Sequence, residues 1–357
     1  GTYSKALKAS GLTAANYQIG YVDGDFTIVP SDQLLVRVNN VSSAYGTPTT
    51  YGIKSVEYYD GSSVVRLDDG SVPGSSVSNV SNAVSVQDGS GAFATFTLTP
   101  LSAATSNAGK VKVGNYQLGA TGISTVFDAN FSQTITVVGA HQVNTKALTA
   151  TATGVSKVYD GNTSVTNGTL GLSGVEGTDP NKDKVTVSGI GVYTDKNASN
   201  SASYTYSSLK LAGDDSANYH VVGGANITGT GVIQPKQITS LSATKVYDGT
   251  TTLSGTQVTF AGLVDGESLN YTATASDAHV ATAGKFISTL NLQNNGTWLA
   301  SNYTLPTTLD VSNASVTITP AKLTPTLSNT GVTKVYDGMP AAPGGFSPTW
   351  SFSGLVS

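Results

Sequence analysis

The groups able to do chemistry in this chain are few and scattered. Three histidines, His141, His220 and His279, stand far apart, and none forms the His-Glu-x-x-His spacing that puts two imidazoles on one metal. No Gly-x-Ser-x-Gly turn presents a nucleophilic serine. With no acid, base and nucleophile to assemble, an enzyme is not expected. There is no cysteine, which excludes disulfides, thiolate metal sites and cysteine nucleophiles. Asp23-Gly24-Asp25 and Asp214-Asp215 offer hard oxygen ligands that could take calcium, but each reads as a turn between strands, and no cofactor is expected. Trp298, Tyr58 and Tyr59 are the aromatic side chains that could stack on a sugar ring if exposed.

One set of reactive groups recurs. Lys157, Lys245 and Lys334 each open the pentad Lys-Val-Tyr-Asp-Gly, and the acids Glu176 and Glu267 follow the first two. A Lys–Asn isopeptide bond beside an acid is one reading. The other, which we favour, is a strand-edge lysine whose ammonium reaches water.

The elements carrying these groups follow from the repeats. The pentads start 88 and 89 residues apart. A second marker is Asn-Tyr, at Asn16-Tyr17, Asn115-Tyr116, Asn218-Tyr219 and Asn302-Tyr303, with an apolar residue three positions after each Asn. A third is an apolar strand running into proline, as at Ile28-Val29-Pro30, Val232-Ile233-Gln234-Pro235 and Thr317-Ile318-Thr319-Pro320. Together they divide the chain into residues 1–31, the end of one module; 32–144, a module opened by Ala44-Tyr45-Gly46-Thr47 with an insertion near Asp60 to Gly91; 145–235; 236–320; and 321–357, the start of another. On this phase the chain begins and stops inside a module.

Alternation of apolar and polar residues, as in Thr256 to Phe260 and Phe286 to Leu292, predicts strands throughout. In the pentad, Val and Tyr suit a strand, pointing to opposite faces. Asp-Gly ends it, because Gly accepts positive φ and Asp bonds its own following backbone. The tyrosines of both markers (Tyr159, Tyr247, Tyr219 and Tyr303) are expected in the core, and the Asn of Asn-Tyr in a left-handed or capping role. The fold expected is all-β: tandem antiparallel β-sandwich modules, immunoglobulin-like or β-grasp-like, arranged as an elongated rod.

Charged residues are 11% of the chain against the usual quarter, and the net charge is −4 with a pI near 5.3. Lys5-Ala6-Leu7-Lys8 is the only basic cluster, so nucleic acid is not an expected partner. No apolar run reaches the ~20 residues of a membrane helix. Asn-x-Ser/Thr triplets are frequent, for example at Asn79, Asn197, Asn226 and Asn302, and chance explains most of them in a chain so rich in Ser and Thr.

Tyr159-Asp160-Gly161 and Tyr247-Asp248-Gly249, with Ala217-Asn218-Tyr219 and Ser301-Asn302-Tyr303, resemble the YDG repeat domain. Val38-Asn39-Asn40 with Ala44-Tyr45-Gly46-Thr47 resembles the related MBG domain of the YGX type. The resemblance implies a very large secreted bacterial surface protein, similar to filamentous-haemagglutinin-like adhesins exported by two-partner secretion. Localisation at the cell surface and a part in adhesion and biofilm formation follow from it. The function expected is a stalk or fibre segment that can self-associate in a fibre. The alternative is that one module, 32–144 above all, binds a polysaccharide or a host or matrix ligand directly.

Overall fold

The computed structural model describes residues 2–28, 33–126, 134–222 and 226–356. Val29, Pro30 and the boundary placed at residues 31–32 lie outside them. Among the described residues the fold is built of strands, with no α-helix and two short 3₁₀ turns at Ser216–Asn218 and Ala300–Asn302. No helix in them is long and apolar enough to cross a membrane. The chain divides into two compact units, residues 1–151, 170–188 and 209–225, and residues 152–169, 189–208 and 226–357.

In the first unit, alternation sets the core. Leu34, Val36 and Val38 of the strand Leu34–Val38 point inward, while Arg37 points out and pairs with Glu57 at 3.0 Å. The neighbours Ile135–Val138 and Ile53–Tyr59 flank this strand, and Val64–Arg66 completes a four-stranded sheet. A six-stranded sheet runs Val41–Ala44, Ala140–Asn144, Gly114–Val126, Phe93–Pro100, Ala83–Asp88 and Ser75–Val80. Both sheets contribute to one apolar cluster, Leu34 and Val36 from the first and Val84, Phe96 and Leu98 from the second. The insertion near Asp60 to Gly91 contains the hairpin Ser75–Val80/Ala83–Asp88, which supplies Val84 and Val86 to that cluster.

The second unit carries two three-stranded sheets. One is Val258–Ala261, Ser240–Val246 and Ala314–Thr319; the other is Thr252–Leu253, Asn270–Ala275 and Ile287–Gln293. Pro235 and Pro320 each follow the last residue of a strand, where a missing N–H leaves no ladder bond unmade. Val158 and Val246 are exposed while Lys157, Lys245 and Tyr159 are buried, so the pentad's inward face carries Lys and Tyr.

The expectation of purely antiparallel sheets is corrected. Leu34–Val38 pairs in parallel with Ile135–Val138, and Ser240–Val246 in parallel with Ala314–Thr319 over six residues. In each case a strand near the end of a segment returns beside one near its start. A return by crossover puts the two strands in the same direction.

Replacing Leu34 with Ala should lower the stability of the first unit by about 2–5 kcal/mol, because it opens a cavity in a cluster shared by two sheets. Arg37→Ala should cost under about 1 kcal/mol, since its ion pair is exposed. Urea unfolding of both variants checks the contrast.

Candidate functional site: paired tyrosines on a buried carboxylate

Four of the repeated tyrosines meet in two pairs, and each pair closes on one acid. In the first unit Tyr45 and Tyr219 stand edge to face, with ring centroids 5.2 Å apart. The Tyr45 hydroxyl donates to Asp183 Oδ2 at 2.5 Å and the Tyr219 hydroxyl donates to the same oxygen at 2.6 Å. Ser106 Oγ lies within hydrogen-bonding reach of the Tyr45 hydroxyl. The Ala108 amide donates to Asp183 Oδ1 at 2.7 Å. The Glu176 amide donates to the Tyr219 oxygen at 3.0 Å, so that hydroxyl both gives and receives. Asn218 Oδ1 accepts the Val113 amide at 3.0 Å.

The second unit repeats this arrangement. Tyr159 and Tyr303 stand edge to face at 5.6 Å. Their hydroxyls donate to the two oxygens of Glu267, at 2.7 and 2.6 Å. The Val264 amide donates to the Tyr303 oxygen at 3.0 Å. Asn302 Oδ1 accepts the Ala198 amide at 2.8 Å, and Asn302 Nδ2 donates to Asn197 Oδ1 at 2.8 Å. Lys196 Nζ lies 3.8 Å from Glu267 Oε1. Asn302 is 0% exposed, which removes it as a glycan acceptor in the folded chain.

Burial shapes the ionisation of each pair. Burial, then the hydrogen bond to Asp183, pushes the Tyr45 and Tyr219 hydroxyls well above the usual tyrosine value. Burial and Glu267 raise Tyr159 in the same way, and Tyr303 is pushed up to about 12. Burial alone would raise the Asp183 carboxyl, but the bonds from Tyr219, Tyr45 and the Ala108 amide outweigh it and hold it below its ordinary value. These hydroxyls are fixed donors on a fixed anion.

The pentad loop positions Tyr159, the first tyrosine of the second pair. The ammonium of Lys157 meets Asp160 Oδ1 at 2.6 Å, the Asn162 carbonyl at 2.8 Å, Asn162 Oδ1 at 3.0 Å and the Ser164 carbonyl at 3.1 Å. Lys245 repeats this on Asp248, Thr250 and Thr252, and Lys334 binds Asp337 and the Met339 carbonyl. The expectation that these lysines reach water is corrected for Lys157 and Lys245, which are buried. Strand alternation puts them on the tyrosine's face, and acceptors on three loop residues replace their hydration. Thr250 takes the place of Asn162 in the same network, so the network works without a Lys–Asn pair. Asp160, Asp248 and Asp337 accept the amide two residues on, as expected, and Gly161 and Gly249 have φ of 79° and 77°.

Other expectations fare differently. Neither Asn218 nor Asn302 is left-handed; each ends a 3₁₀ turn and caps an amide distant in sequence. Tyr247 is only half-buried, because no second tyrosine or acid meets its hydroxyl among the described residues. Asn115 is exposed, and Tyr116 donates to the Lys112 carbonyl with no acid beside it. Tyr58 is corrected from a surface ring to a core one, 8% exposed, because alternation turns it inward and leaves Tyr59 outside. Trp298 is half-buried in a turn closed by two backbone bonds to Asn295, in the other unit. Of the three candidate sugar-binding rings, Tyr58 is buried, Trp298 half-buried and Tyr59 exposed.

Asp23 is paired with Lys8, and Asp215 with Lys112 and the Lys184 amide; the Asp25 side chain lies outside the described residues. Among the described residues no group of three or more acids or histidines could hold a metal ion. His141 is buried between Ser43 Oγ at 2.8 Å and the Tyr51 hydroxyl at 2.9 Å, and burial lowers its pKa.

Two acids matter here, and the spacing singled out the wrong partner for one of them. Glu176 looked equivalent to Glu267, yet its backbone amide does what the Val264 amide does, and Asp183 does the work of Glu267. Asp183 lies nine residues after Gly174, whereas Glu267 lies five after Gly262. A search by spacing passes over the match.

Two stretches of the chain thus reuse one Asn-Tyr turn and one tyrosine–carboxylate pairing. The YDG domain family matches the chain twice, over residues 144–228 and 234–310. No curated protein and no solved structure matches the chain.

Removing the Tyr159 hydroxyl as Tyr159→Phe should destabilise the second unit by about 1.5–3 kcal/mol, since it takes a donor from a buried carboxylate. In a double-mutant cycle with Glu267→Gln the two losses should be clearly less than additive. Additive losses in urea unfolding would mean that the pair does not interact.

The raised tyrosines also set a pH dependence. Unfolded tyrosine ionises near its ordinary value of 10.0, whereas Tyr303 in the fold does so at about 12. This contribution is fully present below pH 10 and is lost as pH rises through 12. Urea midpoints measured from pH 8 to pH 11.5 should fall above pH 10, and less steeply in Tyr303→Phe.

Proposed function

We propose that the chain is a structural stalk segment of a secreted bacterial surface adhesin, displayed at the cell surface and serving adhesion or biofilm formation. The observation that carries this is the same tyrosine–carboxylate pairing made twice. Each pairing ties a tyrosine loop of one repeat to the acid and Asn-Tyr turn of the next. Tyr45 lies before the first YDG copy and meets Asp183 and Tyr219 within it; Tyr159 of the first copy meets Glu267 and Tyr303 of the second. A repeat that specifies its own joint suits a shaft.

On this reading residues 32–144 are a module of the MBG type, 145–235 and 236–320 are YDG modules, and the flanking segments belong to further modules. Each is a two-sheet sandwich, and the joints string them into a rod. Export by two-partner secretion and kinship with filamentous-haemagglutinin-like adhesins come with the resemblance. The segment needs no cofactor and performs no catalysis. The alternative of direct sugar binding by residues 32–144 loses one of its two rings, since Tyr58 is buried. A hollow of about 760 Å³ beside Leu172, Val175 and Asp183 has no aromatic ring in its lining.

Small-angle scattering on the purified chain tests the stalk. Three complete modules of radius of gyration near ~12 Å, each about 30 Å across, should give a maximum dimension well over ~90 Å. A compact, near-spherical envelope would overturn the proposal.

A further inference from the structure

The pairings recur in order along the chain, and the third place in the series is open. Tyr247 is the next tyrosine after Tyr45 and Tyr159, and its loop is built in the same way. The Tyr247 amide donates to the Thr319 carbonyl at 2.8 Å, as the Tyr159 amide does to Gln234. Lys245 holds the loop as Lys157 does. Yet the Tyr247 ring is half-buried, and its hydroxyl has no partner among the described residues.

The strand edge that leads into a joint is already seated there. In both complete joints a Gly-apolar-x tripeptide brings the incoming repeat against a glycine of the tyrosine loop. Glu176, of Gly174-Val175-Glu176, sits on Gly46, directly after Tyr45; Val264, of Gly262-Leu263-Val264, sits on Gly161, two residues after Tyr159. An ideal Cβ on those loop glycines would lie 2.6 and 3.0 Å from the incoming side chain. Gly354-Leu355-Val356 is the third such tripeptide. Val356 Cγ1 lies 2.8 Å from an ideal Cβ on Gly249. The leading glycines share one backbone state, with φ of 93°, 97° and 92°. The strand before this edge, Trp350–Ser353, pairs antiparallel with Thr324–Leu327, as Val258–Ala261 pairs with Ser240–Val246.

The acceptor side is prepared as well. The turn Asp195-Lys196-Asn197-Ala198, whose Ala198 amide is capped by Asn302, recurs as Asp277-Ala278-His279-Val280. In both, the Asp accepts the amide two residues on, at 3.0 and 2.6 Å. Among the described residues the Val280 amide has no partner, and His279, which replaces Asn197, is 74% exposed on its side chain.

We propose that Tyr247 and the Val280 amide form the docking half of a third joint. Its occupant is the acid and Asn-Tyr turn of a YDG module that continues in register from Gly354-Leu355-Val356. The carboxylate accepts from the Tyr247 hydroxyl, the incoming tyrosine stands edge-on to its ring, and the incoming Asn caps Val280. This rests on the stalk reading and deepens it by naming the surface through which the shaft extends.

The test extends the full chain after Val356 with a second copy of residues 265–319 and places 3-fluorotyrosine at position 247. The ¹⁹F resonance should move from its position in the parent chain toward that of fluorotyrosine at position 159. Replacing the grafted counterparts of Glu267 with Gln and of Tyr303 with Phe should reverse the move. A second graft, residues 177–235 with their own Asp183, guards against failure of the first to fold. An unmoved resonance in both grafts overturns the proposal. So does a move in the parent chain that grows with protein concentration, because a second copy would then supply the occupant. Either outcome leaves the scattering test of the parent chain standing, so the two readings fail separately.

Discussion

A carboxylate removed from water must be repaid in hydrogen bonds, and the packing around both joints follows from how this chain does so. Asp183 receives two tyrosine hydroxyls and a backbone amide; Glu267 receives two hydroxyls with an ammonium nearby. Hydrogen bonds to an ionised acceptor are about twice as strong as neutral ones. The donors come from two repeats, so neither repeat satisfies its acid alone. Separation would rehydrate the carboxylate, and the net gain from docking is the difference of two large terms. The pairing is therefore better suited to fixing which surfaces meet, and in what register, than to supplying raw adhesion.

That constraint explains the lysine in the pentad. A tyrosine that must aim its hydroxyl at one oxygen needs a loop with a single shape. The Asp-Gly turn supplies the local bend, and the buried ammonium gathers the loop's carbonyls from inside. Lys157 also lies 5.9 Å from the centre of the Tyr193 ring, so its charge is shared with an aromatic face. An inward lysine breaks the usual apolar alternation of a strand. It is tolerated because each of its donors has an acceptor.

The strands, the pentad turn and the burial of Tyr159, Tyr219 and Tyr303 were legible in the sequence, because alternation and Asp-Gly chemistry are local. The pairing of these tyrosines was not. Tyr159 and Tyr303 are brought together by the return of a strand 144 residues later, and nothing in either marker names the other. Identity by type also misled: Glu176 matches Glu267 as a residue, but a backbone amide can be supplied by any residue, and Val264 supplies it equally well. Parallel pairing of strands near the start and end of a segment escaped for the same reason, since alternation fixes which face is buried and is silent on strand direction.

The same logic separates markers that do work at a joint from those that only resemble them. Asn115-Tyr116 has the letters of the motif, but its Asn is exposed and its Tyr hydroxyl bonds a carbonyl four residues back. There is no acid between Leu101 and Gln117 to receive it. Tyr45, with Gly in place of Asp after it, nevertheless enters a complete pairing. What a joint requires is a tyrosine on a closed loop, facing an acid and an Asn-Tyr turn from another repeat. Tripeptide identity is neither necessary, as Tyr45 shows, nor sufficient, as Tyr116 shows. Recurrence in this chain thus records two things at once: residues that fold each repeat and residues that couple it to its neighbour. Only the partner found in space tells them apart.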